Sequence, residues 1–186
     1  MQADYLIMRN VEAVVSVLSQ FSERLINMQS LIVLEHAAVS AADLSSLDRI
    51  TQDKVVAGDS IESTVRHLKK SSQELATSID EESEGFAGSL SEISLLFDQL
   101  CAARPTSDFE SQRSKVLDLI EECLAIHREL NPKIKTNKKM LEKMLQFQQE
   151  SQNFWSDVLQ ETEATYGADG SRKKDGPASS AIKISI

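Results

Sequence analysis

No glycine occurs between Gly88 and Gly167, and a three-to-four spacing runs through most of that stretch. Its positions are Phe109, Val116, Ile120, Cys123, His127, Leu130, Ile134, Asn137, Leu141 and Met144, then Gln148, Ser151, Trp155 and Val158. This is a heptad-like seam with polar interruptions, the pattern of a long amphipathic helix. Ser107, with Glu110 three residues on, has the spacing of a capping box. The expected end is the turn Thr165-Tyr166-Gly167-Ala168-Asp169-Gly170. Unbroken, such a helix would be roughly 85 Å long at 1.5 Å per residue. Pro132 lacks an N–H and its ring crowds the preceding turn, so a kink or short break is expected near Asn131.

The rest of the chain supports an all-α fold. Of 186 residues only six are glycine and three proline, and aromatics make up 5%. That is helical composition and not that of a turn-rich β protein. The net charge is −9, which makes nucleic acid or an anionic membrane an unfavourable main partner. No stretch approaches the ~20 consecutive apolar residues of a membrane-spanning helix. The N-terminus, Met1-Gln2-Ala3-Asp4, lacks the basic and apolar regions of a secretory signal. Cys101 and Cys123 are expected to be reduced and buried, as in a cytoplasmic protein.

The first helix is expected over residues ~3–36, on the seam Ile7, Val11, Val14, Leu18, Phe21, Leu25, Met28, Ile32. Leu6, Val15, Val17, Ile26 and Val33 widen the stripe enough to face more than one neighbour. A short connection, 37–42, implies an antiparallel partner, with Ser40 as its cap and Asp43 in its first turn. The second helix reaches about Ile79 on a weaker pattern: Leu44, Leu47, Ile50, Val55, Ile61, Val65, Leu68, Leu75 and Ile79. Gly58 interrupts it, as a bend or a place of close helix approach. Residues 80–88 read as an acidic exposed loop. Ser89 with Glu92 starts a third helix through Ile93, Leu96, Phe97 and Leu100, ending before Pro105. The resulting architecture is an elongated antiparallel helical bundle, or coiled-coil hairpin, with one long C-terminal helix. Residues 1–170 form a single helical domain in this reading and 171–186 a tail of linker composition. The tail closes on Ala181-Ile182-Lys183-Ile184-Ser185-Ile186, an alternation too short to fold alone.

No catalytic constellation, phosphate loop or cofactor motif is apparent, so no cofactor and no enzymatic activity are expected. Cys123 and His127 share a helix face, but two ligands do not make a structural zinc site. Neither His36, His67 nor His127 has a glutamate three residues before it, as a di-iron bundle requires. Both residues of the 123/127 pair are read as seam residues. The acidic runs Asp80–Glu84 and Glu161–Glu163 read as solvated surface. Lys133, Lys135, Lys138, Lys139 and Lys143 answer either acidic charge within the bundle or an acidic partner.

The end of the long helix carries most information. At 100° per residue Met140, Leu141, Met144, Leu145, Phe147, Phe154, Trp155, Val158 and Leu159 cover an arc of about 180°. One partner helix fills less than that. Methionines and aromatics together form an adaptable apolar surface for other helices. Other helices of the same chain can cover such a face, but the length of the last helix favours an intermolecular role for residues ~140–160.

The turn at Thr165–Gly170 resembles that of the FlgN family of flagellar type III export chaperones, whose members typically end a long helix with Tyr-Gly-x-Asp-Gly. Residues Ala41–Lys54, acidic and leucine-spaced, are similar to the start of the family's second helix. Asn131 and Asn137, followed by Leu141 and Leu145, are similar to the asparagine-rich entry into its last helix. The resemblance covers most of residues 5–170. It implies a cytoplasmic chaperone that takes part in protein transport by binding the C-terminal helices of the hook–filament junction proteins FlgK and FlgL. It further implies that the helix before the turn holds the client. Tyr166, with Gly167, Asp169 and Gly170, would then help dock the complex on the export gate, FlhA. The competing expectation is a coiled-coil adaptor whose wide stripes serve self-assembly.

Overall fold

The computed structural model describes residues 2–79 and 88–165, with side chains for 4–79 and 88–160. Four helices account for nearly all of them: α1 (Gln2–Ser40), α2 (Leu44–Ile79), α3 (Leu90–Ala103) and α4 (Ser107–Thr165). The chain divides into two compact units, Met1–Lys138 and Lys139–Ile186.

The first unit is a helical bundle, and its long-range contacts define the topology. Asn10 reaches the Glu74 carbonyl and Lys54 pairs with Glu35, so α1 and α2 form an antiparallel hairpin. Asp98 accepts from Arg113 at 2.6 Å, setting α3 antiparallel to α4. Ser22 donates to Glu122 at 2.7 Å and Gln29 to Glu129 at 2.8 Å. A constant offset of that sign means that α1 and α4 lie side by side and parallel. Gly88 sits against Lys69 and Arg104 pairs with Asp4, so α3 runs beside the end of α2 in the same direction. At Gly88 the backbone is left-handed, φ +74°, and a Cβ would stand 3.0 Å from the Lys69 Cα, so only glycine fits.

Two apolar clusters hold this bundle. The larger joins all four helices around Phe97, Leu75, Val116 and Leu18, each fully buried. The smaller, Leu25, Ile32, Cys123, Ile126 and Leu130, joins α1 to α4, with Ile61 of α2 and Leu90 at the start of α3 against it. Every position of the expected α1 seam faces these clusters: six are buried, and Phe21 and Met28 are half-buried against the smaller one. The α3 capping box is present in both directions, with Glu92 N–H on Ser89 Oγ and Ser89 N–H on the Glu92 carboxylate.

Several expectations are corrected. Helix α1 continues to Ser40, and the cap of α2 is Asp43, whose carboxylate accepts from the Ser46 N–H and from both Ser45 and Ser46 hydroxyls. These bonds hold its pKa down at about 2. The Ser40 hydroxyl instead donates to the His36 carbonyl. At the start of α4 the cap is Thr106, which accepts from the Phe109 N–H, so Ser107 is the first helical residue. Pro132 does not break α4. Its fixed φ suits a helix and it forfeits one bond, while Leu130 and Asn137 on either side are buried. The α4 stripe runs Cys123, Ile126, Leu130, Asn137, with His127 and Ile134 exposed. Ile126 takes the place expected of His127 because an apolar side chain one position away, 100° round the helix, gains more from burial. In α2, Leu44, Val55 and Val65 are exposed, while Ala57, Thr64, Ser72 and Ala76 take up the buried stripe. A Cβ at Gly58 would meet nothing within 4 Å, so no helix approaches closely there.

Candidate functional site

The second unit contributes the last turns of α4, and there the apolar residues are not buried. Leu145, Phe147, Phe154, Trp155 and Leu159 are 60%, 73%, 56%, 60% and 63% exposed. Met140, Leu141, Met144 and Val158 are half-buried. All nine expected client-binding residues thus belong to one helical segment, on the ~180° arc that a 100° step dictates. The Phe154 and Trp155 rings meet edge to face, centroids 5.5 Å apart at 74°, so adjacent residues form one aromatic block. Polar side chains flank the face. Gln146 donates to Glu150 at 2.8 Å one turn on, and between Met144 and Thr165 the acidic residues Glu150, Asp157, Glu161 and Glu163 have no lysine or arginine among them. An apolar strip of this kind suits the apolar face of an amphipathic segment. The expected docking residues Tyr166, Gly167, Asp169 and Gly170 lie outside the described residues, as do the acidic loop at 80–87 and the tail.

In the first unit the sequence left a polar cluster unread. Asn137, 2% exposed, donates from Nδ2 to the Ile32 carbonyl and to Glu35 Oε2, both at 2.9 Å. Its Oδ1 lies 2.9 Å from His36 Nδ1. Lys54 completes the cluster, bonding Glu35 Oε1 at 2.6 Å. Each buried polar group has a partner, and the set fixes α1 against α2 and α4 in one register. Beside it an apolar groove of about 310 Å³ is lined by Ile32, Val33, His36, Pro132, Lys133, Thr136 and Asn137. The available signal was Asn137 itself, a polar residue on an otherwise apolar stripe, as specifies register in coiled coils. Of the basic run, Lys133 lies 3.8 Å from Glu129 on its own helix.

Both cysteines are free and buried. Desolvation, with Glu122 nearby, pushes the Cys123 thiol up to about 11, and burial also raises Cys101. Thiols held protonated at neutral pH are poor nucleophiles and poor metal ligands. Among the described residues no three histidine, cysteine or acidic side chains cluster as metal ligands. Among the same residues no helix is long and apolar enough to cross a membrane.

The family model described as FlgN protein matches residues 8–174, most of the chain. The chain belongs to the FlgN family. Membership gives it the general role of a flagellar export chaperone. No curated protein and no solved structure matches the sequence. The end of α4 thus carries an apolar face whose leucines and aromatics are exposed. The described bundle core, by contrast, is closed by its own helices.

Proposed function

We propose that this FlgN-family chaperone binds the C-terminal helices of the hook–filament junction proteins FlgK and FlgL in the cytoplasm and carries them to the export gate FlhA. The supporting observation is the apolar face of α4: five large side chains, Leu145 to Leu159, each more than half exposed. A free amphipathic terminus is prone to aggregate, and a matching apolar face shields it while the chaperone's net charge of −9 keeps the complex soluble. Met140, Leu141, Met144 and Leu145 form one end of the surface. Phe147, Phe154, Trp155, Val158 and Leu159 form the other. Titration calorimetry with the FlgK and FlgL C-terminal segments tests it. Dissociation constants of roughly micromolar or tighter, about −8 kcal/mol, are expected, with a negative heat-capacity change from apolar burial. Phe154→Ala with Val158→Ala should weaken binding at least tenfold while leaving the melting temperature nearly unchanged. A large fall in melting temperature with unchanged binding would mean that these side chains are internal core.

Gate docking is assigned to Tyr166 with Gly167, Asp169 and Gly170, on the family resemblance of Tyr166-Gly167-Ala168-Asp169-Gly170. Tyr166→Ala is expected to keep client binding and lose capture by the cytoplasmic part of FlhA. Equal capture of both proteins would remove Tyr166 from that role.

A further inference from the structure

The apolar face at the end of α4 is broken in the middle. Its seam steps through Leu141, Met144, Gln148, Ser151, Trp155 and Val158, and the two central positions are polar. From Gln146 to Asn153 the one apolar residue is Phe147. Two apolar blocks remain, Met140–Leu145 and Phe154–Leu159, with centres about 21 Å apart along the helix. Gln148 is exposed and Ser151 half-buried. Gln146 and Glu150 bond each other on the side of the helix away from the seam. Among the described residues Gln148 and Ser151 have no hydrogen-bond partner. The blocks also differ in charge. Lys139 and Lys143 outnumber Glu142 beside the first, and Asp157 is the only charge from Phe154 to Gln160.

We propose that Gln148 and Ser151 select the partner of this face: an amphipathic helix of another protein, about 18 residues long, whose apolar stripe is interrupted at its centre by polar residues. The inference rests on the client-binding reading above and narrows it to one pattern of client. Water solvates both groups in the free protein. A leucine laid against them strips that water and returns no hydrogen bond, whereas a polar residue at the same level restores the bond. Selection therefore works by penalising a continuously apolar helix, not by adding attraction. Charge sets the direction. The seam steps of three, four, three, four and three read the same from either end, so the apolar contacts accept a helix either way round. Lys139 and Lys143 draw its acidic end to the first block, and Asp157 draws its basic end to the second.

Titration calorimetry of the full chain with two synthetic peptides tests it. Both are amphipathic, about 18 residues long, acidic near one end and lysine-bearing near the other. One has leucine at every seam position. The other differs only in asparagine and serine at the central two. A face without selection binds the more apolar peptide more tightly. Here the interrupted peptide should bind about tenfold more tightly. Gln148→Leu with Ser151→Leu should reverse the preference, and Gln148→Ala with Ser151→Ala should bring the two peptides within about twofold. The bundle should keep its melting temperature in both variants, since both side chains belong to the second unit. Wild-type preference for the continuous peptide, or no binding of either, overturns the proposal. So does a preference that the variants leave unchanged. Lys139→Glu with Lys143→Glu should weaken the interrupted peptide about threefold at low salt, and an unchanged constant overturns the charge assignment. The FlgK and FlgL segments separate this inference from the reading beneath it. Peptide selection without binding of either segment counts against the client reading alone. Binding of a segment without peptide selection counts against the selection alone.

Discussion

Phe97 and Phe154 are the same residue in two opposite settings. Phe97 is fully buried, with α1, α2 and α4 closing around it; Phe154 is 56% exposed, and its aromatic neighbour is the adjacent Trp155. The contrast extends along α4 itself. Through Leu130 its apolar stripe is sealed in the bundle, whereas from Leu145 onward large apolar residues of similar number stand in water. The same periodicity therefore builds stability in one part of a helix and leaves an exposed apolar face in another. What separates them is whether neighbouring helices bring complementary apolar faces, and nothing in the local sequence of α4 encodes that.

The largest expected effect comes from truncating the two phenylalanines in parallel. Phe97→Ala removes a fully packed ring and leaves a cavity, costing about 3–5 kcal/mol of stability. Phe154→Ala should cost less than about 1 kcal/mol, because the ring is already half in water. Thermal melts of both variants check this. Similar losses would erase the distinction between the two regions and place Phe154 in a core.

Asn137 sharpens the boundary between them. Asn137→Ala takes one donor from Glu35, a second donor from the Ile32 carbonyl and the partner of His36 Nδ1, for an expected loss of about 1–3 kcal/mol. Urea unfolding measures it. A loss below Phe154→Ala would show that the polar cluster contributes little to closing the bundle. If the cluster sets register, the variant should also broaden the amide spectrum of α1 near Ile32 more than that of residues 145–159.

Much of this division was legible in the residues, and the failures have local causes. The α1 seam could be read throughout because its steps of four and three never miss, even though Leu6, Ile26 and Val33 beside it turn out exposed. The Ser89–Glu92 box could be read because both halves of the bond are in sequence. Ser40 and Ser107 failed as caps because a better-placed acceptor stood close by, Asp43 three residues after the one and Thr106 immediately before the other. Pro132 suggested a kink or short break, and the break does not occur: propensity counts the lost N–H and cannot count the burial of Leu130 and Asn137 beside it. The apolar arc at 140–159 was visible as an arc, and only the length of the last helix pointed to its exposure, since the chemistry of a buried and a bare leucine is the same.

Gly58 gives the smallest effect and the narrowest probe of the packed region. It sits mid-helix in α2, where a Cβ meets nothing within 4 Å. Gly58→Ala removes backbone freedom from the unfolded chain without a clash and should stabilise by about 0.5–1 kcal/mol. Client affinity should not move, because the gain belongs to the bundle and not to the exposed face. A destabilised variant would mean that the open space beside Gly58 is filled by another molecule or another part of the chain. The first unit would then carry a docking surface of its own, and the assignment of binding to the end of α4 alone would have to give way.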